Sequence, residues 1–116
     1  MASPSVRFRI DFSDHSSLGP GKILLLEAIR DYGSLSQGAR NIGMSYRRAW
    51  LLVESLKQSF REPVTMASAG GKNGGGMVVT DFGDALIKSY RQLERDFAAL
   101  AKQRFRPIIA TVRPAF

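Results

Sequence analysis

Three observations predict a mainly α domain with a small β-hairpin and one long terminal helix, an α+β arrangement. Three apolar stripes at helical spacing follow one another between residues 22 and 60, and Gly33 and Gly43 break them. Two short apolar pieces, PVTMA and MVVT, bracket a glycine-rich run at 68–76, as in a hairpin. A last amphipathic stretch runs from Asp81 to about Phe105 and gives way to the proline-containing RPIIATVRPAF.

Each element has its own warrant. In VRFRIDF, Val6, Phe8, Ile10 and Phe12 alternate with Arg7, Arg9 and Asp11, which predicts a half-buried N-terminal strand. SDHSSLGPG is turn-rich. In KILLLEAIRDYG, Ile23, Leu26 and Ile29 form a stripe, Leu24 and Leu25 widen it, and Gly33 is the stop. SLSQ opens a second helix, with Ser34 as N-cap and Gln37 at capping-box spacing. Leu35, Ala39 and Ile42 face inward, and Gly43 ends the helix after about two turns.

Ser45 caps the third helix, 46–60, which buries Ala49, Val53, Leu56 and Phe60. Tyr46 and Trp50 flank that stripe, and Trp50 is assigned to the core. Arg47, Glu54 and Gln58 point outward, with Arg48 nearby, and Leu51 lands on the same polar face with no packing reason. Thr80 caps the last helix, where Leu86, Tyr90, Leu93, Phe97 and Leu100 step by four and three residues in a heptad-like seam. A short helix joined to a longer one through IGMS makes a helix-turn-helix, and the hairpin behind it stands where a wing would. The expected organisation is 1–80 for the N-terminal strand, helix-turn-helix and wing, 81–105 for the long helix of the same domain, and 106–116 for a tail.

Composition narrows the function. A chain of 116 residues supports one modest core. There is no cysteine, and His15 is the sole histidine, which argues against a metal site or a Ser-His triad. No run approaches the ~20 apolar residues of a membrane span, and no secretion signal opens the chain. A cytoplasmic, nucleoid-associated location with no membrane partner is expected. The net charge of +7, with arginine outnumbering lysine, favours a polyanionic partner.

The glycine run is not a nucleotide loop. In a Walker pattern Gly71-Lys72 needs a following Ser or Thr, but Asn73 stands there, and Met66 replaces the leading glycine. The run leads into a strand, so no helix N-terminus would meet a phosphate. A wing tip that carries Lys72 and Asn73 to a phosphate backbone explains it better than an idle loop does. Paired carboxylates in a cleft are missing too. Asp81 and Asp84 sit at a helix start, where acidic residues complement the dipole. No catalytic residue, metal or cofactor is expected, and the protein is not expected to be an enzyme.

GSLSQGARNIGMSYRRAWLLVESL followed by GGKNGGGMVVTDFGDALIKSY resembles the N-terminal DNA-binding domain of the molybdate-responsive ModE regulators, a winged helix-turn-helix related to that of LysR-type regulators. The resemblance runs from about Lys22 to Glu94, and VRFRIDF suits the family's leading strand. It implies a homodimer built on the long helix. Asn73 stands where the family usually has glycine, and no molybdate-binding module is expected after the long helix. Sensing of an effector would then fall to a separate subunit, or the protein would act constitutively.

The expected activity is sequence-specific binding of double-stranded DNA by a transcription regulator that acts as a dimer on an inverted-repeat operator. Helix 46–60 would enter the major groove and the wing 68–76 would lie on the adjacent backbone or minor groove. Arg47 and Arg48 are candidates for guanine edges, with Arg47 favoured and Arg48 the better phosphate contact. Ser45 and Tyr46 would meet phosphate or base, though Tyr46 could equally pack at the core edge. Ser34, Ser36 and Gln37 suit the phosphate backbone, with plain capping the competing role for Ser34 and Gln37. Lys72 and Asn73 would touch the minor groove or its phosphates. Leu86, Tyr90, Leu93, Phe97 and Leu100 would pair two subunits, with packing inside one subunit as the competitor, above all for Leu86. The alternatives are a winged-helix module that binds protein through its seam and the apolar tail PIIATVRPAF, or a nonspecific architectural DNA-binding protein. Convergence of Arg47, Arg48 and Lys72 on one face favours nucleic acid.

Overall fold

In the computed structural model, which describes residues 3–69 and 75–114, the chain is assembled around helix α1 (Pro20–Tyr32). Pro20 at its start forgoes only an N–H that would have no intrahelical partner. Gly33 ends it in the left-handed region, φ 78°, where its N–H donates to the Ile29 carbonyl at 2.8 Å. The widened apolar stripe has a structural meaning, because α1 is covered on two sides. Ile23 and Leu26 join Leu18, Leu56, Val64, Ile87 and Tyr90 in one cluster. Leu25 and Ile29 join Leu35, Ala39, Ala49 and Val53 in the other.

The N-terminal strand departs from expectation. The ladder is a small antiparallel hairpin of β1 (Ile10–Ser13) and β2 (Ser16–Leu18), with an irregular register between Asp11 and Ser13. Val6 to Arg9 lie outside it, and the segment expected to be only turn supplies the second strand. The alternation upstream still reports burial. Phe8 stacks on Tyr90 with ring centroids 4.5 Å apart and meets Phe97 edge-on at 4.9 Å.

Two further helices follow. Helix α2 (Leu35–Asn41) is capped by Ser34, whose Oγ accepts from the Gln37 N–H at 3.1 Å. It crosses α1 closely at Gly38, where a Cβ would sit 3.1 Å from the Ala28 carbonyl carbon and the Ile29 nitrogen. Gly43 then turns the chain with φ 68°. Helix α3 (Tyr46–Ser59) is capped by Ser45, whose Oγ accepts from the Arg48 N–H at 3.2 Å.

Strands β3 (Thr65–Ser68) and β4 (Gly76–Val79) pair antiparallel, from Thr65 opposite Val79 to Ser68 opposite Gly76. The Met77 N–H donates to the Gly33 carbonyl at 2.9 Å, which fastens this hairpin to the end of α1. Helix α4 (Asp81–Arg104) starts at Thr80, and a short turn of helix, α5 (Arg106–Ile109), follows it. The result is mostly helical with two small antiparallel hairpins. Among the described residues no helix is long and apolar enough to cross a membrane.

Candidate nucleic-acid interface

The caps that start α2 and α3 also place their first residues at the surface. Ser34 is buried by its capping role, while Ser36 and Gln37 are exposed. Ser45, Tyr46, Arg47 and Arg48 are all exposed at the start of α3. Tyr46 is 57% exposed, which removes it from the core edge. The two arginines differ in direction. The Arg48 guanidinium lies over the first turn of α1, where a Cβ on Gly21 would be 3.8 Å from its Nη2. Arg47 begins an outward stripe that continues, at helical spacing, through Trp50, Leu51 and Glu54.

Trp50 overturns an expectation. It is 47% exposed beside Leu51 at 51%. The buried side of α3 is filled by Ala49, Val53 and Leu56, which leaves a side chain at the flank of the stripe outside. Lys72 and Asn73 lie outside the described residues.

Charge is distributed unevenly. The α2–α3 segment carries Arg40, Arg47, Arg48 and Lys57, and none of them makes an ion pair among the described residues. Elsewhere, Arg91 of α4 grips Glu27 of α1 with bonds of 2.6 and 3.1 Å and reaches Glu94 at 2.8 Å. These bonds hold its guanidinium above its ordinary range. Lys88 and Arg30 are likewise engaged by Asp84. No group of three or more potential metal ligands occurs among the described residues.

One positioning residue escaped the sequence reading. Lys22 is 8% exposed, and its Nζ donates to the Ser17 carbonyl at 2.8 Å, the Ser17 Oγ at 3.4 Å and the Ser55 Oγ at 3.0 Å. It ties β2, α1 and α3 together. Burial, and secondarily the charge of Arg9, pulls its ammonium below the usual lysine range. The signal was present in its spacing, since Lys22 lies on the Ile29 and Leu26 side of α1.

The seam on α4 divides. Leu86 packs against the first core cluster. Tyr90 is 1% exposed and its hydroxyl donates to the Phe8 carbonyl at 2.6 Å, so it has no surface to offer a second subunit. Burial raises its phenol above the ordinary range. Phe97 is covered on one side by Phe8, Leu93 is half-buried, and Leu100 is exposed. Val6, Phe97, Leu100, Ala101, Arg104 and Phe105 line a shallow depression of about 270 Å³ at this end.

No family model matches the chain. Individual proteins do. The molybdenum transport protein ModE of Azotobacter vinelandii is 34% identical over 91 residues, which is 78% of this chain and 34% of that protein. The molybdenum-pterin-binding protein MopB of Rhodobacter capsulatus is 41% identical over 83 residues, 72% of this chain and 31% of MopB. The chain is a relative of the ModE and Mop proteins. The DNA-binding transcriptional dual regulator ModE of Escherichia coli K12 is also 41% identical, over 71 residues, 61% of this chain and 27% of that regulator. The chain spans about a third of the length of the curated ModE and Mop relatives it matches. The ModE resemblance carried by the α2–α3 and glycine-run sequences thus holds as a relationship, and the names of these relatives describe regulators and molybdenum proteins.

Proposed function

We propose that the chain is the DNA-reading module of a transcription regulator and binds double-stranded DNA sequence-specifically as a homodimer. Helix α3 lies in the major groove with its N-terminus foremost, α2 crosses the backbone, and the β3–β4 hairpin acts as the wing beside it. The observation that carries this is the exposed start of α3. Arg47 is exposed there, and the cations of the α2–α3 segment, Arg40, Arg47, Arg48 and Lys57, have no ion pair among the described residues, so they are available to phosphate. Arg47 takes a guanine edge. Arg48, turned toward the first turn of α1, meets phosphate along with Ser36, Gln37, Ser45 and Tyr46. Ser34 serves as a cap. Lys72 and Asn73 extend the contact from the wing. The named ModE regulators support the reading.

Two subunits pair through the outer part of the long helix, by Leu93, Leu100 and the free side of Phe97. A two-fold dimer calls for an inverted repeat with half-sites about one or two helical turns apart. Selection of bound sequences from a random duplex pool, read at two salt concentrations, tests the whole proposal. An enriched inverted repeat is expected. Salt-sensitive binding without a motif would replace it with an architectural role. No binding at low salt would sink it and favour a second reading, a protein-binding module, whose support is the run of exposed apolar residues Leu100, Phe105, Ile108 and Val112.

A further inference from the structure

The outward stripe of α3 contains two side chains that neither packing nor phosphate attraction explains. Trp50 and Leu51 are each about half exposed. They follow Arg47 by three and four residues, so they sit one turn further along the same face. Single exposed apolar residues are ordinary on a protein surface. A contiguous pair next to two exposed arginines, on a helix whose cations lack ion pairs among the described residues, suits an occupant that is anionic at its rim and carries apolar groups within. The major groove of DNA has that chemistry, with phosphates at its edges and the thymine 5-methyl as its projecting apolar group.

We infer that Leu51 and Trp50 read thymine through its 5-methyl group, next to the base contacted by Arg47. The inference rests on the major-groove placement of α3 proposed above. A helical turn rises about 5.4 Å and successive bases about 3.4 Å. The thymine therefore lies one or two base pairs from the Arg47 base in each half-site. The rigid, bulky indole packs over the methyl group from one side and Leu51 from the other, and both expel water from a surface that is wet in the free protein.

The test replaces individual thymines of the selected site by uracil, which removes the methyl group and keeps the base pair. Affinity is measured for the wild-type chain, Leu51→Ala and Trp50→Ala, with a thermal melt to show that each variant is folded. For the wild type, uracil at one or two positions beside the Arg47 base should cost about fourfold in affinity, the value of one buried methyl group. The same substitution should cost nothing in Leu51→Ala and less than in the wild type for Trp50→Ala. An enriched motif with no thymine at those positions, equal binding of thymine and uracil sites by the wild type, or full discrimination retained by folded Leu51→Ala would each overturn the inference while the DNA-binding reading stands. Failure to enrich any motif would overturn both.

Discussion

Helices α3 and α4 are both amphipathic and both basic, yet among the described residues only α4 engages some of its cations in ion pairs. On α4, Arg91 is clasped by Glu27 and Glu94, and Lys88 by Asp84. On α3, Arg47, Arg48 and Lys57 make no ion pair among the described residues. The apolar residues invert the pattern, since α4 buries the large Tyr90 whereas α3 exposes the larger Trp50. Within α4 one cation, Arg91, joins two elements through Glu27, whereas Arg95, Lys102 and Arg104 make no ion pair among the described residues, as on α3. What sets α3 apart is that its cations sit beside an exposed Trp50.

Four substitutions can sharpen or break this contrast. Tyr90→Ala should have the largest effect, a loss of about 3–5 kcal/mol of stability in denaturant unfolding, because it empties the core under α4. If the variant unfolded like the wild type but no longer self-associated, Tyr90 would belong to an intersubunit contact after all. Arg47→Ala should lower affinity for a cognate site by about 1–3 kcal/mol and relax sequence preference at one position. Its melting should change by less than about 0.5 kcal/mol, as expected for an exposed side chain. Equal loss on cognate and random DNA would make Arg47 a phosphate contact. Arg91→Ala should do the reverse, costing about 1 kcal/mol of stability, since the pair is partly exposed, and leaving DNA affinity alone. A drop in affinity as large as that of Arg47→Ala would erase the distinction between the two helices. The smallest effect is expected from Lys72→Ala, which should reduce the salt dependence of binding by about one unit of slope. An unchanged slope would take Lys72 out of the interface.

The elements with local punctuation were legible in the sequence. Ser34, Ser45 and Thr80 each cap the helix they were expected to cap, and Gly33 stops α1, because these signals act within a few residues of themselves. What depended on a distant partner was harder to read. Strand β2 contains Ser16 and Ser17 and shows no apolar alternation, so only its pairing with β1 reveals it. The period of the α4 seam reports that Tyr90 is buried and is silent about what buries it. The answer is Phe8, 82 positions earlier. Trp50 failed for a related reason. A flank position on a helix goes in or out according to the neighbouring element, and nothing local decides which. At the candidate interface, the outward direction of Arg47 follows from periodicity, whereas the Arg48 approach to Gly21 needed the α1–α3 packing. Lys72 and Asn73 lie outside the described residues.

Thr80 closes the β3–β4 hairpin and opens α4 at a single point. Its hydroxyl donates to the Pro63 carbonyl at 2.7 Å, lies 3.1 Å from that of Val64, and accepts from the Gly83 N–H at 3.0 Å, while its own N–H donates to the Val64 carbonyl at 3.1 Å. Gly83 is needed there, because a Cβ would press into the Val64 carbonyl and lie 2.7 Å from Val79 Cγ1. In mechanical terms this joint is a weld, with no pivot. In a pair of subunits joined along that helix, the two hairpins would keep a set separation and phase, so the assembly would act as a gauge with little tolerance for insertion or deletion of base pairs between half-sites.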